Sequence, residues 1–431
     1  MKPRRRQTLR LACAYAAAIA GCLSPALARA QEGVVALRGA RLLTITGGVV
    51  EAGTLLFQGG RILAVGADVG IPAGATVLDL PGMTVMPGLI DASTNLGLAD
   101  YPSLGMDDNE ATDPLTPQLR VVDALNPQNR FFATARGSGV TEALCAPAEG
   151  NLLAGQSALV RLRGESVEAM VVRAPVAIHV SFGEAPKAQY GKKNQAPMTR
   201  MASAAMLRQI LVDAGAHAEE LARYERLAAA YQAGEREEEP TPPARNAKLE
   251  ALLPVIRGEM PLVVAADRFD DIHTALRITA EFGVPMILSH GAEAGRVTQE
   301  LAARRIPVLW GPSDAEYHEL ESRGGSPDTP AALARAGVPF AFQTGSIQNV
   351  TGLLSEARLA VAHGLPREEA LRALTLHPAT IFGVSDSLGS LEVGKVADLV
   401  VFTGDPLEDL ARVEMVFIGG ERVPTEPEPG R

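Results

Sequence analysis

The chain has 431 residues, of which 47% are hydrophobic and 4% aromatic, and it carries a formal net charge of −10. This length and apolar content suffice for a large core, in one big domain or two smaller ones, and nothing in the composition is typical of a disordered protein. The acidic balance disfavours nucleic acid and anionic membrane surfaces as partners.

The first thirty residues have the layout of a secretory signal peptide. A basic start is followed by an apolar, alanine-rich run over 11–27 and by an A-x-A cleavage site, Ala28-Arg29-Ala30. Pro25 and the shortness of the run argue against a spanning helix, so we expect no transmembrane span in the mature chain. We therefore predict export to the periplasm or the medium. Cleavage removes six basic side chains and no acidic ones, which moves the net charge from −10 to −16.

Two alternatives to plain cleavage after Ala30 stay open. The segment Ile19-Ala20-Gly21-Cys22 resembles a lipobox, which would make Cys22 a lipidated N-terminus, although we favour plain cleavage. Arg5-Arg6 faintly resembles a twin-arginine signal. In the mature chain Cys145 is then the remaining cysteine, so an internal disulfide is excluded.

Residues 33–86 contain short β-rich runs separated by glycine pairs. The same pattern of short β-rich runs occurs near the C-terminus. These two regions predict one small β-sandwich domain built from 33–86 plus 386–424. Between them, over 87–385, apolar strands alternate with helical patterns: a strand at 261–265, a helix at 271–282, a strand at 285–289, a helix at 294–304 and a strand at 306–310. This alternation is typical of parallel βαβ units and predicts a (β/α)₈ TIM barrel, with a doubly wound sheet as the alternative.

Four segments carry a resemblance to a known family. They are Pro87-Gly88-Leu89-Ile90-Asp91, the loop 147–157, Asp267-Arg268-Phe269-Asp270-Asp271-Ile272, and the tail 373–399. Together they resemble the amidohydrolase superfamily, in its secreted imidazolonepropionase-like branch, over nearly all of residues 35–420. The resemblance implies a TIM barrel with a β-sandwich, and hydrolysis of carbon–nitrogen, non-peptide bonds in a small amide or dipeptide-like ligand. It also implies Zn²⁺ or another divalent metal, held at the C-terminal ends of the barrel strands.

Carried over position by position, the family's metal site is depleted in this chain. The first-strand His-x-His pair falls on Ser93 and Asn95, a later histidine falls on Ala265, and the last-strand aspartate falls on Gly345. His290 does occupy a family histidine position. His179 aligns loosely with a ligand of the middle strands.

These replacements matter for the chemistry. Zinc prefers imidazole, thiolate or carboxylate and usually needs three protein ligands at a catalytic site. The last-strand aspartate typically serves as general base towards the metal-bound water, and Gly345 cannot do so. We expect His290 to be a ligand remnant or a hydrogen-bonded strand-end histidine, and His179 to be structural.

Two functional hypotheses follow from this pattern. The first is a divergent hydrolase with weak or no metal-dependent catalysis, in which His290 and His179 contribute to an unusual site. The second is an exported pseudoenzyme that acts as a binding or scaffold subunit, paired with an intact paralogue. Fewer than three metal ligands remain, and this number favours the second hypothesis. The acidic segment 107–110, with Asp113, is interpreted as a solvated loop over the substrate.

Overall fold

The computed structural model describes residues 33–101, 104–313 and 321–426. The predicted signal peptide and the lipidation alternative at Cys22 lie outside these ranges. Within them, no helix combines the length and the apolar character that are needed to cross a membrane.

The strands, in chain order, are β1 (Val35–Leu43), β2 (Val49–Gln58), β3 (Arg61–Gly66), β4 (Thr76–Asp79), β5 (Thr84–Pro87), β6 (Leu89–Thr94), β7 (Ala99–Tyr101), β8 (Leu104–Met106), β9 (Val140–Cys145), β10 (Leu153–Gln156), β11 (Ala158–Arg161), β12 (Val171–Arg173), β13 (Ile178–Ser181), β14 (Leu262–Ala266), β15 (Met286–His290), β16 (Val308–Trp310), β17 (Phe340–Phe342), β18 (Leu399–Phe402), β19 (Val413–Ile418) and β20 (Glu421–Val423). The helices are α1 (Phe131–Gly137), α2 (Val167–Met170), α3 (Glu184–Gly191), α4 (Arg200–Gln232), α5 (Ala247–Ile256), α6 (Phe269–Phe282), α7 (Thr298–Ala303), α8 (Thr329–Arg335), α9 (Leu353–Ala362), α10 (Arg367–Leu374) and α11 (Leu376–Ile381).

One sheet is built from both ends of the described chain. Its order is β20-β19-β18-β5-β1-β2-β3, with β4 paired to β1, and β18 lies antiparallel to β5. Alternate side chains of these strands enter one buried apolar cluster, which includes Leu37, Leu55, Phe57 and Leu399. Burying such a side chain stabilises the fold by roughly 1.5–3 kcal/mol. The limits of the predicted β-sandwich domain, 33–86 and 386–424, stay a prediction.

Two further sheets share a second apolar interior. One has the order β10-β13-β14-β15-β16-β17, in which β13 to β17 are parallel, and the other has the order β12-β11-β9-β6, in which β6 and β9 are parallel. Side chains from both sheets form one buried cluster, which includes Ile90, Leu144, Val263, Ile287 and Leu309. The mixed α/β class is thereby confirmed. Closure of these strands into an eight-stranded barrel stays a prediction.

The helices follow the predicted alternation with small shifts. α6 begins at Phe269, two residues before the predicted start. It ends at Phe282 and is capped by Gly283, whose φ of 65° is left-handed and free of strain for glycine. The helix predicted over 294–304 is instead a 3-10 turn followed by α7, since the backbone at Val297 (φ −123°, ψ 17°) is not helical. Residues 234–246 follow α4 with mostly exposed side chains.

A buried group of charges joins the parallel strands to the first sheet. The Arg161 guanidinium on β11 lies 3.6 Å from a carboxylate oxygen of Glu142 on β9 and 3.4 Å from one of Asp398, just before β18. Burial and the neighbouring Asp398 raise the pKa of Glu142 well above its usual range. The cluster links β9 and β11 to the segment before β18.

Candidate functional site

The predicted site residues lie at or near the C-terminal ends of parallel strands. Ser93 belongs to the end of β6 and Asn95 follows it, Ala265 is the penultimate residue of β14, His290 ends β15, and Gly345 lies three residues beyond β17. The Gly345 N–H donates to the Ser93 carbonyl at 2.9 Å. Ala265 and His290 line one cleft on neighbouring strands. The structure therefore brings Ser93, Asn95 and Gly345 together, and it places Ala265 next to His290.

Both ends of the Asn95 amide make hydrogen bonds within the protein. Its Nδ2 donates to Asp108 Oδ2 at 2.7 Å, and its Oδ1 accepts from the Ile347 N–H at 2.8 Å. Asp108 is 5% exposed, so the interpretation of segment 107–110 as wholly solvated is wrong at this residue. Asp108 is buried because its carboxylate accepts a hydrogen bond from the buried Nδ2 of Asn95.

The Asp91 side chain on β6 also binds the segment that follows β17. Its Oδ1 accepts from the Thr344 N–H at 3.0 Å and from the Ser93 N–H at 3.3 Å, and its Oδ2 accepts from the Thr344 hydroxyl at 2.5 Å. Burial raises the pKa of Asp91 to about 7, although these hydrogen bonds lower it in part. The first and last parallel strands are thus tied by a buried carboxyl group.

His290 forms an ion pair with Glu149, which lies in the loop after β9. Burial alone would lower the pKa of His290, but the attraction and hydrogen bond of Glu149, with Asp267 further away, raise it to about 9. The Glu149 carboxylate therefore favours the protonated form of the His290 imidazole. The sequence signalled Glu149 only by its place in the family-like loop 147–157.

His179 lies inside the parallel strands. It is 8% exposed, and its Nε2 has no hydrogen-bond partner among the described residues. Burial lowers the pKa of His179 to about 4, in spite of an opposing effect of Glu149. This histidine is neutral, and Glu149 acts electrostatically on both it and His290.

A narrow cleft lies beside these groups, and the space in it that a water molecule can occupy is only about 10 Å³. Its lining is Glu149, Phe182, Glu184, Ala185, Ala265, Ala266, Asp267, His290 and Glu321. Arg200 at the start of α4 borders it and holds three carboxylates, those of Glu184 (2.7 Å), Asp271 (2.9 Å) and Glu321 (2.7 Å).

The positions that the family resemblance assigns to metal chemistry offer few side-chain ligands among the described residues. Ala265 and Gly345 offer no side-chain ligand, Asn95 is occupied, and in ranges 33–101, 104–313 and 321–426 no three His, Cys, Asp or Glu side chains are grouped so as to hold a metal ion. Gly345 also has a φ of +73°, and a Cβ there would lie 3.0 Å from Pro312 Cδ. An aspartate at this position would be strained.

Comparison with known proteins identifies the family. The model of the amidohydrolase family matches residues 154–423. The chain belongs to this family. The crystal structure of an amidohydrolase from Thermotoga maritima is similar to this chain, with 32% sequence identity and a TM-score of 0.82. The match covers 90% of this chain and 99% of that one. Such neighbours imply a TIM barrel with a separate β domain. A prolidase structure at 20% identity and a TM-score of 0.59 supports the fold alone.

Two curated relatives extend the comparison. Amidohydrolase tasK of Hapsidospora irregularis is 27% identical over 368 residues, which is 81% of this chain, but the chain spans only 37% of that protein's length. An imidazolonepropionase of Mesorhizobium japonicum is 26% identical over 429 residues, covering 87% of this chain and 93% of the relative.

The two hydrogen bonds of the Asn95 side chain predict that its removal destabilises this amidohydrolase-family protein. Asn95→Ala leaves the buried Asp108 carboxylate and the Ile347 N–H without their partner, and each such group costs roughly 1–3 kcal/mol. We expect the free energy of unfolding in urea to fall by about 2–4 kcal/mol. The exposed Asn126, whose Oδ1 accepts from the Gln128 N–H, is the control, and Asn126→Ala should change the value by less than about 0.5 kcal/mol. Equal effects of the two substitutions would contradict the bridge.

The raised pKa of Asp91 predicts that the free energy of unfolding depends on pH. Its folded-state pKa of about 7 lies above its unfolded value of about 3.9, so the folded state binds the proton more tightly. This contribution to stability is complete at low pH and is lost as the pH rises from about 4 through 7. In Asp91→Asn it should vanish, so the difference in unfolding free energy between wild type and variant should change by up to about 1.4 kcal/mol per pH unit in that window. Parallel curves would refute the assignment, and the exposed Asp213→Asn is the control that should remain parallel.

Proposed function

We propose that this protein is an exported amidohydrolase-family member, a closed (β/α)₈ barrel with a β-sandwich, that binds a small ligand and has no metal-dependent hydrolase activity. One observation carries the proposal: the five positions that the family resemblance assigns to metal chemistry hold Ser93, Asn95, Ala265, His290 and Gly345. The protein acts in this view as a pseudoenzyme, alone or beside an intact paralogue.

The contacts of these residues support the same conclusion. A metal accelerates hydrolysis by lowering the pKa of its bound water and by polarising the scissile carbonyl. Here the Asn95 amide is bonded to Asp108 and the Ile347 N–H, and the His290 imidazolium is paired with Glu149. A ligand that enters the cleft would meet fixed charges and hydrogen-bonding groups instead.

A second candidate is a divergent carbon–nitrogen hydrolase acting on a small amide or dipeptide-like substrate. It is favoured by the position of Glu149, whose charge acts on both His179 and His290, and by relatives that are named as hydrolases. His179, His290 and Glu149 are the residues that such an activity would need.

Metal content separates the two candidates. The mature chain from residue 31, purified without chelator and then exposed to Zn²⁺, should contain no metal above background by elemental analysis, and its thermal unfolding should not change with a chelator. About one tightly held metal per chain, lost in His290→Ala, would overturn the proposal in favour of the hydrolase. The Mesorhizobium imidazolonepropionase, assayed in parallel for hydrolysis of imidazolonepropionate, is the positive control for activity.

Export is supported by the basic start, the apolar run and the A-x-A site of residues 1–30. Mass spectrometry of the full-length gene product, recovered from the periplasm or the medium, should find an N-terminus at Gln31. An N-terminus at a lipid-modified Cys22 would support lipidation instead of plain cleavage. An intact Met1 on protein that stays in the cytoplasm would refute export.

A further inference from the structure

We propose that a pocket between α1, the end of β11 and the strand β20 binds a small dianion through its phosphate or carboxylate oxygens. This pocket lies outside the candidate functional site, so the proposal does not depend on the proposed function. Three features support it: a space of ordinary ligand size, an excess of arginine side chains over carboxylates, and a guanidinium group that the protein holds in place without a counter-ion.

The pocket lies at the other end of the strands from Ser93 and Asn95. Its walls come from the end of α1, from the residues just after β11 and from β20. One of these residues, Leu162, donates its N–H to the Thr141 carbonyl near the start of β9. Because β6 runs parallel to β9, Ser93 at the end of β6 is on the opposite side. A ligand in the pocket therefore contacts two sheets and does not reach the candidate site.

The space in the pocket that water can occupy is about 320 Å³. Small-molecule pockets usually measure roughly 300–1,000 Å³. Part of the wall consists of buried apolar side chains, namely Phe132, Leu162, Met170 and Val423. All four belong to the same apolar core, so the packing of the core fixes the shape of the pocket.

Arginine side chains exceed carboxylates around the pocket. Arg136, Arg163 and Arg422 line it, together with one carboxylate, that of Glu421. Glu421 forms an ion pair with Arg163. In the part of the chain that the structure describes, no ion pair is found for Arg136 or Arg422. Two positive charges are thus left uncompensated in a protein whose formal net charge is −10, and they attract a dianion.

The guanidinium group of Arg136 is held by two walls of the pocket. Its Nε donates to the Pro424 carbonyl at 2.8 Å, and its Nη1 donates to the Leu162 carbonyl at 2.8 Å. Burial lowers the pKa of Arg136, and no neighbouring carboxylate opposes this effect. A carbonyl oxygen carries only a partial charge, so the guanidinium is a partly buried cation that lacks a counter-ion.

The rest of this guanidinium group is open to a ligand. Nη2 of Arg136 makes no hydrogen bond to the described residues, and it is not among the polar side-chain atoms that are cut off from solvent there. The N–H fork of arginine matches the oxygens of carboxylates and phosphates. Because the two carbonyls already hold the side chain, binding costs little additional conformational entropy.

The experiment is calorimetric titration of the chain from residue 31 with inorganic phosphate, succinate and acetate, at one ionic strength and mildly alkaline pH. We expect saturable binding of at least one dianion and much weaker binding of acetate. Arg136→Gln and Arg422→Gln should each weaken dianion binding about fivefold or more. Arg412→Gln, an exposed change outside the lining of the pocket, is the matched control and should bind as the wild type does.

A preference for phosphate would identify a phosphorylated ligand and a preference for succinate a dicarboxylate, and either result supports the site. Absence of saturable dianion binding by the wild type would overturn it. So would equal binding of acetate, or dianion binding that is unchanged in Arg422→Gln. The Arg422 side chain is exposed and makes no hydrogen bond to the described residues, so this variant should fold and decides the test even if Arg136→Gln does not fold.

Discussion

Hydrogen bonds between the end of β6 and the segment after β17 hold together the place where the candidate site is built. Asp91 accepts from Thr344, and Asn95 accepts from the Ile347 N–H while it donates to Asp108. These groups are buried, where an unmet hydrogen bond is costly, so the junction is rigid and specific. The position of Asn95, which the family resemblance assigns to a metal ligand, serves in this chain as a link between distant segments.

The ion pair of His290 and Glu149 organises the other half of the site. It connects the end of β15 to the loop after β9 and places a protonated imidazole where the family resemblance expects a ligand. A protonated histidine next to a carboxylate is itself a compensated charge pair. Of the other carboxylates that line the cleft, Glu184 and Glu321 are paired with Arg200.

The sheet that contains β9 and β11 and the sheet that contains β18 are linked through the charges of Glu142, Arg161 and Asp398. Buried ion pairs are weak evidence for stability, because desolvation offsets much of their attraction. Their geometric effect is clearer, since Arg161 must reach β9 and the segment before β18 at once.

The sequence by itself indicated the mixed α/β class and most elements, because hydrophobic periods of two and 3.6 residues are local properties. The family followed from segments that resemble it, such as Pro87-Gly88-Leu89-Ile90-Asp91. It also located Ser93, Asn95, Ala265, His290 and Gly345, through segments that resemble the family. Only the tertiary structure decided what these residues do. Thr344 lies 253 residues from Asp91, and Glu149 and Asp108 carried no local signal as partners of His290 and Asn95. Burial, pairing and pKa depend on side chains that folding brings together, and no local pattern records them.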